Sequence, residues 1–217
     1  MPTRILIVDD HDIVRRGLRV LIETRADFEI CGEAADGREA VKLARSGKPD
    51  VVLMDITMPL LNGLDAARQI RRAVPTSAIL ILSMHESEDV IGDVIDVGAH
   101  GFLCKSDAGR DLLAAIDAVR EGRTFFTERI AATMKRLSGT PAGTPRAVRT
   151  PGTITRRERE VLQLLAEGHS NKSVAHTLGI SVKTAETHRA RVMRKLQFGS
   201  LADLVRYALR NRIVADP

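Results

Sequence analysis

Three carboxylates stand at the ends of two apolar runs. Asp9 and Asp10 follow Ile5-Leu6-Ile7-Val8, and Asp55 follows Val51-Val52-Leu53-Met54. Short runs rich in β-branched residues, the second bracketed by Pro49 and Pro59, read as strands buried on both faces. The carboxyl end of such a strand is where open α/β sheets place their ligand crevice. If the two strands are parallel neighbours, the three carboxylates converge and repel one another. A hard cation such as Mg²⁺, which prefers oxygen ligands, relieves that repulsion. Ser83 ends a further apolar run, and Lys105 follows Gly101-Phe102-Leu103-Cys104. An aspartate nucleophile can form an acyl phosphate, given a metal and a cation for the phosphoryl oxygens and a hydroxyl donor. On this reading Asp55 receives the phosphoryl group. Asp10, Asp55 and the Thr57 backbone carbonyl hold Mg²⁺, with Asp9 acting indirectly or through water. Ser83 and Lys105 contact the transferred group. Any one of these residues alone is better read as a helix cap or a surface pair; five together at strand ends outweigh that reading.

The elements that must position them alternate. Strands are expected at 4–8, 28–34, 51–54, 78–83 and 101–104, and helices near 12–23, 37–45, 63–73, 88–97 and 111–121. Five β/α units in series predict a doubly wound, five-stranded parallel sheet with helices on both faces. Thr127 is placed to cap a short helix through Leu137. The Gly/Pro/Thr tract from Ser138 to Gly152 lacks an apolar period and reads as a flexible linker. Beyond it, Thr155-Arg156-Arg157-Glu158 has the form of a capping box. Ser170 and Ser181 are placed to cap two further helices, with Gly179 ending the first of them, and a last helix is expected over 201–210. This predicts a small all-α, four-helix domain containing a helix-turn-helix. The expected divisions are residues 1–122, a helical extension and linker over 123–152, and residues 153–217.

Charge divides the same way. Residues 1–135 carry 18 basic and 22 acidic side chains, whereas residues 151–217 carry 12 and 6. A basic terminal segment points to nucleic acid as its partner. Cys31 and Cys104 lie in strand-like runs and read as small buried residues in a reducing cytoplasm rather than a disulfide. No apolar stretch is long enough to span a bilayer, and the first residues lack a secretory pattern, so no membrane association is expected. The six histidines have no zinc-ligand spacing.

The third expected helix of the basic segment concentrates the charge. Val182, Ala185, Val192 and Leu196 recur at helical spacing and are expected to face the bundle. Lys183, Thr184, Glu186, Thr187, His188, Ala190, Arg191, Arg194 and Lys195 are the expected DNA contacts on this helix, joined by Asn171 and Lys172 from the helix before it. Small and basic side chains on one helix face suit the major groove. A solvated charged face is the plain alternative, and His188 is equally readable as a packed or capping residue. The last helix is apolar on more than one face.

Residues 3–121 resemble the receiver domain of bacterial two-component response regulators, through Ile7-Val8-Asp9-Asp10-His11, Met54-Asp55-Ile56-Thr57-Met58-Pro59 and Gly101-Phe102-Leu103-Cys104-Lys105. Residues 153–213 resemble the LuxR-type helix-turn-helix, through Arg156-Arg157-Glu158-Arg159-Glu160-Val161-Leu162. Together the chain is similar to the NarL/FixJ family of response regulators. The resemblance implies that Asp55 takes a phosphoryl group from a sensor histidine kinase, and that the chain regulates transcription as a homodimer on DNA. It further implies that Ser83 and Phe102 form a conformational relay. Phe102 stands where the family often has Tyr, which removes a hydroxyl but keeps a ring to bury. Two rivals remain. One is a DNA-binding regulator independent of phosphorylation. The other is a Mg²⁺-dependent phosphohydrolase working through an aspartyl phosphate. Haloacid-dehalogenase-type enzymes of that kind, which the site resembles in its strand-end Asp, carry a second acid two residues after the nucleophile, where this chain has Thr57, so an enzyme is not expected.

Overall fold

The computed structural model describes residues 1–84, 86–138, 154–211 and 213–214. The tract read as a linker falls at 138–152 and, Ser138 apart, lies outside the described residues. The chain divides into two compact units, one built around a sheet and one from the last four helices.

The first unit alternates strand and helix: β1 Thr3–Val8, α1 Asp12–Glu23, β2 Phe28–Ala34, α2 Gly37–Gly47, β3 Val51–Asp55, α3 Gly63–Ala73, β4 Ala78–Ser83, α4 Glu88–Val97, β5 Gly101–Cys104 and α5 Ala108–Arg120. Every strand pairing is parallel, in the order β2-β1-β3-β4-β5. The doubly wound five-stranded sheet expected from the sequence is the observed fold. Parallel strands buried on both faces must be apolar throughout, and every residue of β3 and β4 is buried. The chain order reverses between β1 and β3, which opens a crevice at their carboxyl ends.

Helix starts follow the local chemistry. Asp36 caps α2 by accepting from the Arg38 and Glu39 amides, and Asn62 caps α3 by accepting from Asp65. Gly98 ends α4 at φ 65°, a left-handed conformation that a side chain resists. After α5 the chain passes Phe125, then forms α6 over Glu128–Ser138. The Thr127 hydroxyl accepts from the Ile130 amide at the start of that helix, as its sequence suggested.

The second unit contains α7 Arg156–Ala166, α8 Asn171–Leu178, α9 Val182–Lys195 and α10 Leu201–Arg210. The capping box at Thr155 and Glu158 is present in both directions, an arrangement contributing about 1 kcal/mol. Ser170 and Ser181 cap α8 and α9, and Gly179 closes α8 at φ 62°. The small core joins Val161, Leu162, Leu165, Val174, Leu178, Val192 and Leu204. One expectation fails here. Val182 is 42% exposed and does not face the bundle. It is the first residue of α9, directly after the cap, and the core-facing stripe begins one turn later at Ala185.

Candidate functional site: an acidic sheet edge and a basic helix

Strand register builds the first site. Val8 pairs with Met54, so Asp9 and Asp55 both follow directly on paired residues. Asp55 pairs with Leu82, and Ser83 pairs with Cys104. Asp9, Asp55, Ser83 and Lys105 therefore cross the carboxyl edge of β1, β3, β4 and β5 in one row. A short 3₁₀ turn over Lys105–Asp107 follows β5 and links it to α5.

The row is nearly closed to solvent. Asp9 is 0% exposed, Asp55 5%, and the Lys105 side chain 8%. Lys105 Nζ lies 2.6 Å from Asp9 Oδ2 and 3.0 Å from Asp55 Oδ2. Asp55 Oδ1 accepts from the Ile56 amide at 2.8 Å. Asp10 is partly exposed beside them, and its Oδ1 lies 2.8 Å from His11 Nδ1. Ser83 is buried at the end of β4, Thr57 is half-buried in the loop after β3, and Phe102 is fully buried within β5.

Burial pushes the Asp55 carboxyl up to about 7. Lys105 opposes that rise, while the neighbouring Asp9 and Asp10 charges add to it. Burial alone would lower Lys105, yet Asp55 and Asp9 hold its ammonium above the ordinary lysine range. One buried cation thus pairs with two carboxylates, Asp9 and Asp55, with Asp10 beside them. Oxygens of Asp9, Asp10 and Asp55, with a nitrogen of His11, all lie within 4.8 Å of one another. Asp9 Oδ2 and Asp10 Oδ1 are buried and accept no well-aligned hydrogen bond; their near neighbours are the Lys105 ammonium and the His11 ring. Three carboxylates converging beside one lysine leave excess negative charge, a set of oxygen donors that fits a hard divalent cation.

The basic helix is arranged differently. Lys183, Thr184, Glu186, Thr187, Ala190, Arg191 and Arg194 are all exposed on α9. Lys172 is exposed on α8, and Asn171 is half-buried there, with its side-chain oxygen accepting from Arg189 at 3.4 Å. His188 is half-buried, and its Nδ1 has no hydrogen-bond partner among the described residues. Two hydroxyls are committed within the fold: Thr184 to Ser181 at 2.8 Å, and Thr187 to the Lys183 carbonyl at 2.8 Å. Lys195 is set apart from the other basic residues, because its Nζ lies 2.7 Å from the buried Glu158 of the capping box.

Two features of these sites leave no signal in the sequence. Asp9 is the closer of the two carboxylates paired with Lys105, a closeness that register reveals and spacing does not. The Lys195–Glu158 ion pair spans 37 residues and leaves no local signal.

The response regulator receiver domain matches residues 5–117, and the luxR family of bacterial regulatory proteins matches residues 152–208. The chain belongs to the NarL/FixJ family of response regulators. Members of this family are DNA-binding transcription regulators of two-component systems and not enzymes, and receiver domains in general bind Mg²⁺. Over 212 residues the chain is 37% identical to the transcriptional regulatory protein MctR of Rhizobium johnstonii, covering 98% of this chain and 95% of that one. It is also similar to RcsB from Salmonella enterica serovar Typhimurium bound to promoter P1flhDC in the presence of the phosphomimetic BeF₃⁻. That similarity is 26% identity, with 95% of this chain and 98% of that one covered, at a TM-score of 0.58. A further RcsB structure holds two dimers on two parallel DNAs, at 25% identity, 95% and 98% coverage and a TM-score of 0.57. Among the described residues no helix is long and apolar enough to cross a membrane.

Proposed function

We propose that Asp55 is the phosphoacceptor of this regulator, that a sensor histidine kinase is its donor, and that phosphorylation raises the affinity of α9 for DNA. The observation that carries the reading is the buried row in which one lysine faces Asp9 and Asp55 beside Asp10. A carboxylate oxygen of Asp55 attacks phosphorus, the bond from phosphorus to the kinase imidazole nitrogen breaks, and that nitrogen keeps the electron pair. Lys105 holds the incoming phosphoryl oxygens, and the Ser83 hydroxyl donates to them. Asp10, Asp55 and the Thr57 carbonyl would hold Mg²⁺, with Asp9 one step removed. When bound, Mg²⁺ supplies charge that offsets the negative phosphoryl oxygens. Burial of the Phe102 ring and the Ser83 hydroxyl make them the residues that register the modification.

On α9, Lys183, Arg191 and Arg194 meet phosphates, while Thr184, Glu186, Thr187, His188 and Ala190 face base edges. Asn171 and Lys172 approach the backbone from α8. Lys195 has the weakest claim among these residues, because Glu158 already engages it. RcsB is seen as dimers on DNA; by similarity we assign this chain a homodimer on DNA, working in the cytoplasm. The functional divisions are residues 1–122, 123–152 and 153–217.

Incubation with acetyl phosphate and Mg²⁺ separates the readings. A stable label that disappears in Asp55→Asn is the expected result. Rapid turnover without label would favour the phosphohydrolase, and no reaction would leave a regulator that works without phosphorylation.

A further inference from the structure

The segment after α5 is fastened to the sheet edge that carries Phe102. β5 is the last strand of the sheet, and its outer edge is taken by Phe125. The Phe102 amide donates to the Phe125 carbonyl at 2.9 Å, and the Phe125 amide donates to the His100 carbonyl at 3.0 Å. A Cβ on Gly101 would lie 2.9 Å from that Phe125 oxygen, so only glycine lets the chain run this close. The Phe125 ring then packs on the core beneath β4 and β5.

Three residues later α6 begins, and it lies along α4. Ile130 is buried at 1% exposure. Two ion pairs flank it: Arg129 with Glu86 at 3.4 Å, and Arg136 with Glu88. Glu86 and Glu88 stand just past Ser83, in the turn leading into α4 and at its first residue. Each exposed pair contributes little by itself. Their position is what matters: both hold α6 to the segment that leaves the phosphoryl-contact hydroxyl, while Phe125 holds it to the strand of Phe102.

We infer that residues 125–138 are the output strap of the receiver: a two-point attachment through which a change at Asp55 reaches the chain that continues to the DNA-binding helices. This rests on the reading of Asp55 as phosphoacceptor. A phosphoryl group drawn to Ser83 and Lys105 moves the ends of β4 and β5. The turn bearing Glu86 follows one of these ends, and Phe102 lies on the other strand. Both attachments of the strap therefore shift together, and α6 alters its seat on α4.

Hydrogen exchange on the full chain, with and without Mg²⁺ and acetyl phosphate, tests this. Intact mass of the same samples reports the Asp55 label. Labelling is expected to change exchange of the α6 amides several-fold in the wild type. In the Arg129→Glu/Arg136→Glu double variant, which alters only exposed side chains, the label is expected to remain and the α6 response to disappear. Exchanging the charges of one pair, Glu88→Arg with Arg136→Glu, is expected to restore part of it. A labelled wild type with unchanged α6 exchange overturns the strap, as does a labelled double variant that responds fully. Absence of label overturns the reading of Asp55 itself and is distinguishable from both.

Discussion

The two units handle charge in opposite ways. The receiver takes Asp9, Asp55 and Lys105 out of water and sets them at one sheet edge, where each charge is felt strongly by the next. The helical unit leaves Lys183, Arg191 and Arg194 in water on one face of α9, where they are screened and individually weak. A buried cluster with one cation and excess carboxylate responds to a single small anion or cation. A solvated basic face responds to a polyanion, by releasing its counterions along a length. On the proposed function the first arrangement works as a switch and the second as a grip. The cost also differs: the receiver needs a five-stranded sheet whose central strands β3 and β4 are buried throughout to hold its site, while α9 needs only a capped helix on a small core.

The largest effect expected in breaking this contrast comes from Lys105→Met. It leaves the Asp9 and Asp55 carboxylates buried without their cation, which costs about 3–5 kcal/mol when one partner of a buried pair is lost. Chemical denaturation in chelator should show that loss, with partial recovery on adding Mg²⁺, and phosphoryl uptake should vanish. No comparable substitution on the solvated face, such as Arg191→Met, should move stability by more than about 0.5 kcal/mol.

Asp55→Asn sharpens the point in the other direction. The folded carboxyl titrates at about 7, well above the usual 3.8. Its ionisation therefore costs more in the folded chain than in the unfolded one. The stability present below pH 3.8 is lost progressively as pH climbs to about 7. An asparagine suffers no such loss. In chelator the variant should gain on the wild type across that window by a few kcal/mol and hold the gain above it; at acid pH the two should match. Melting curves over pH 4–8 check the sign.

Glu186 is the exception on the grip. It is exposed on α9 and makes no ion pair among the described residues, although an acid facing phosphates weakens binding. A carboxylate there can accept from the exocyclic amine of cytosine, a contact that discriminates by about 1–3 kcal/mol. Glu186→Ala should relax preference at one position of each half-site while mean affinity holds or rises. Binding to a randomised library distinguishes this from a uniform change across all sequences, which would make Glu186 a simple tuner of charge. A small effect is expected of Thr155→Ala, which removes one side of the capping box and should cost the helical unit about 1 kcal/mol without altering any base preference.

Much of the architecture is readable from local chemistry. Apolar runs bounded by Pro and Gly mark the strands, and Thr155, Ser170 and Ser181 mark helix starts where caps are observed. The sheet-edge residues are readable for the same reason: each stands one step from an apolar run, and parallel register does the rest. What is not readable depends on long-range packing. Val182 fits the apolar period of α9 yet lies outside the contact. Lys195 has the charge of a DNA contact yet meets Glu158. Phe125 carries no strand pattern, because a single bridge on an edge needs only one amide and one carbonyl.

Phosphorylation at Asp55 is expected to control the DNA affinity of α9. The most direct test is the DNA affinity of the full chain at fixed salt, measured on a duplex selected by the wild type, before and after labelling Asp55 with acetyl phosphate and Mg²⁺. Tighter binding of the labelled wild type, with no response in Asp55→Asn, is the expected result. Equal affinity of labelled and unlabelled wild type would contradict it.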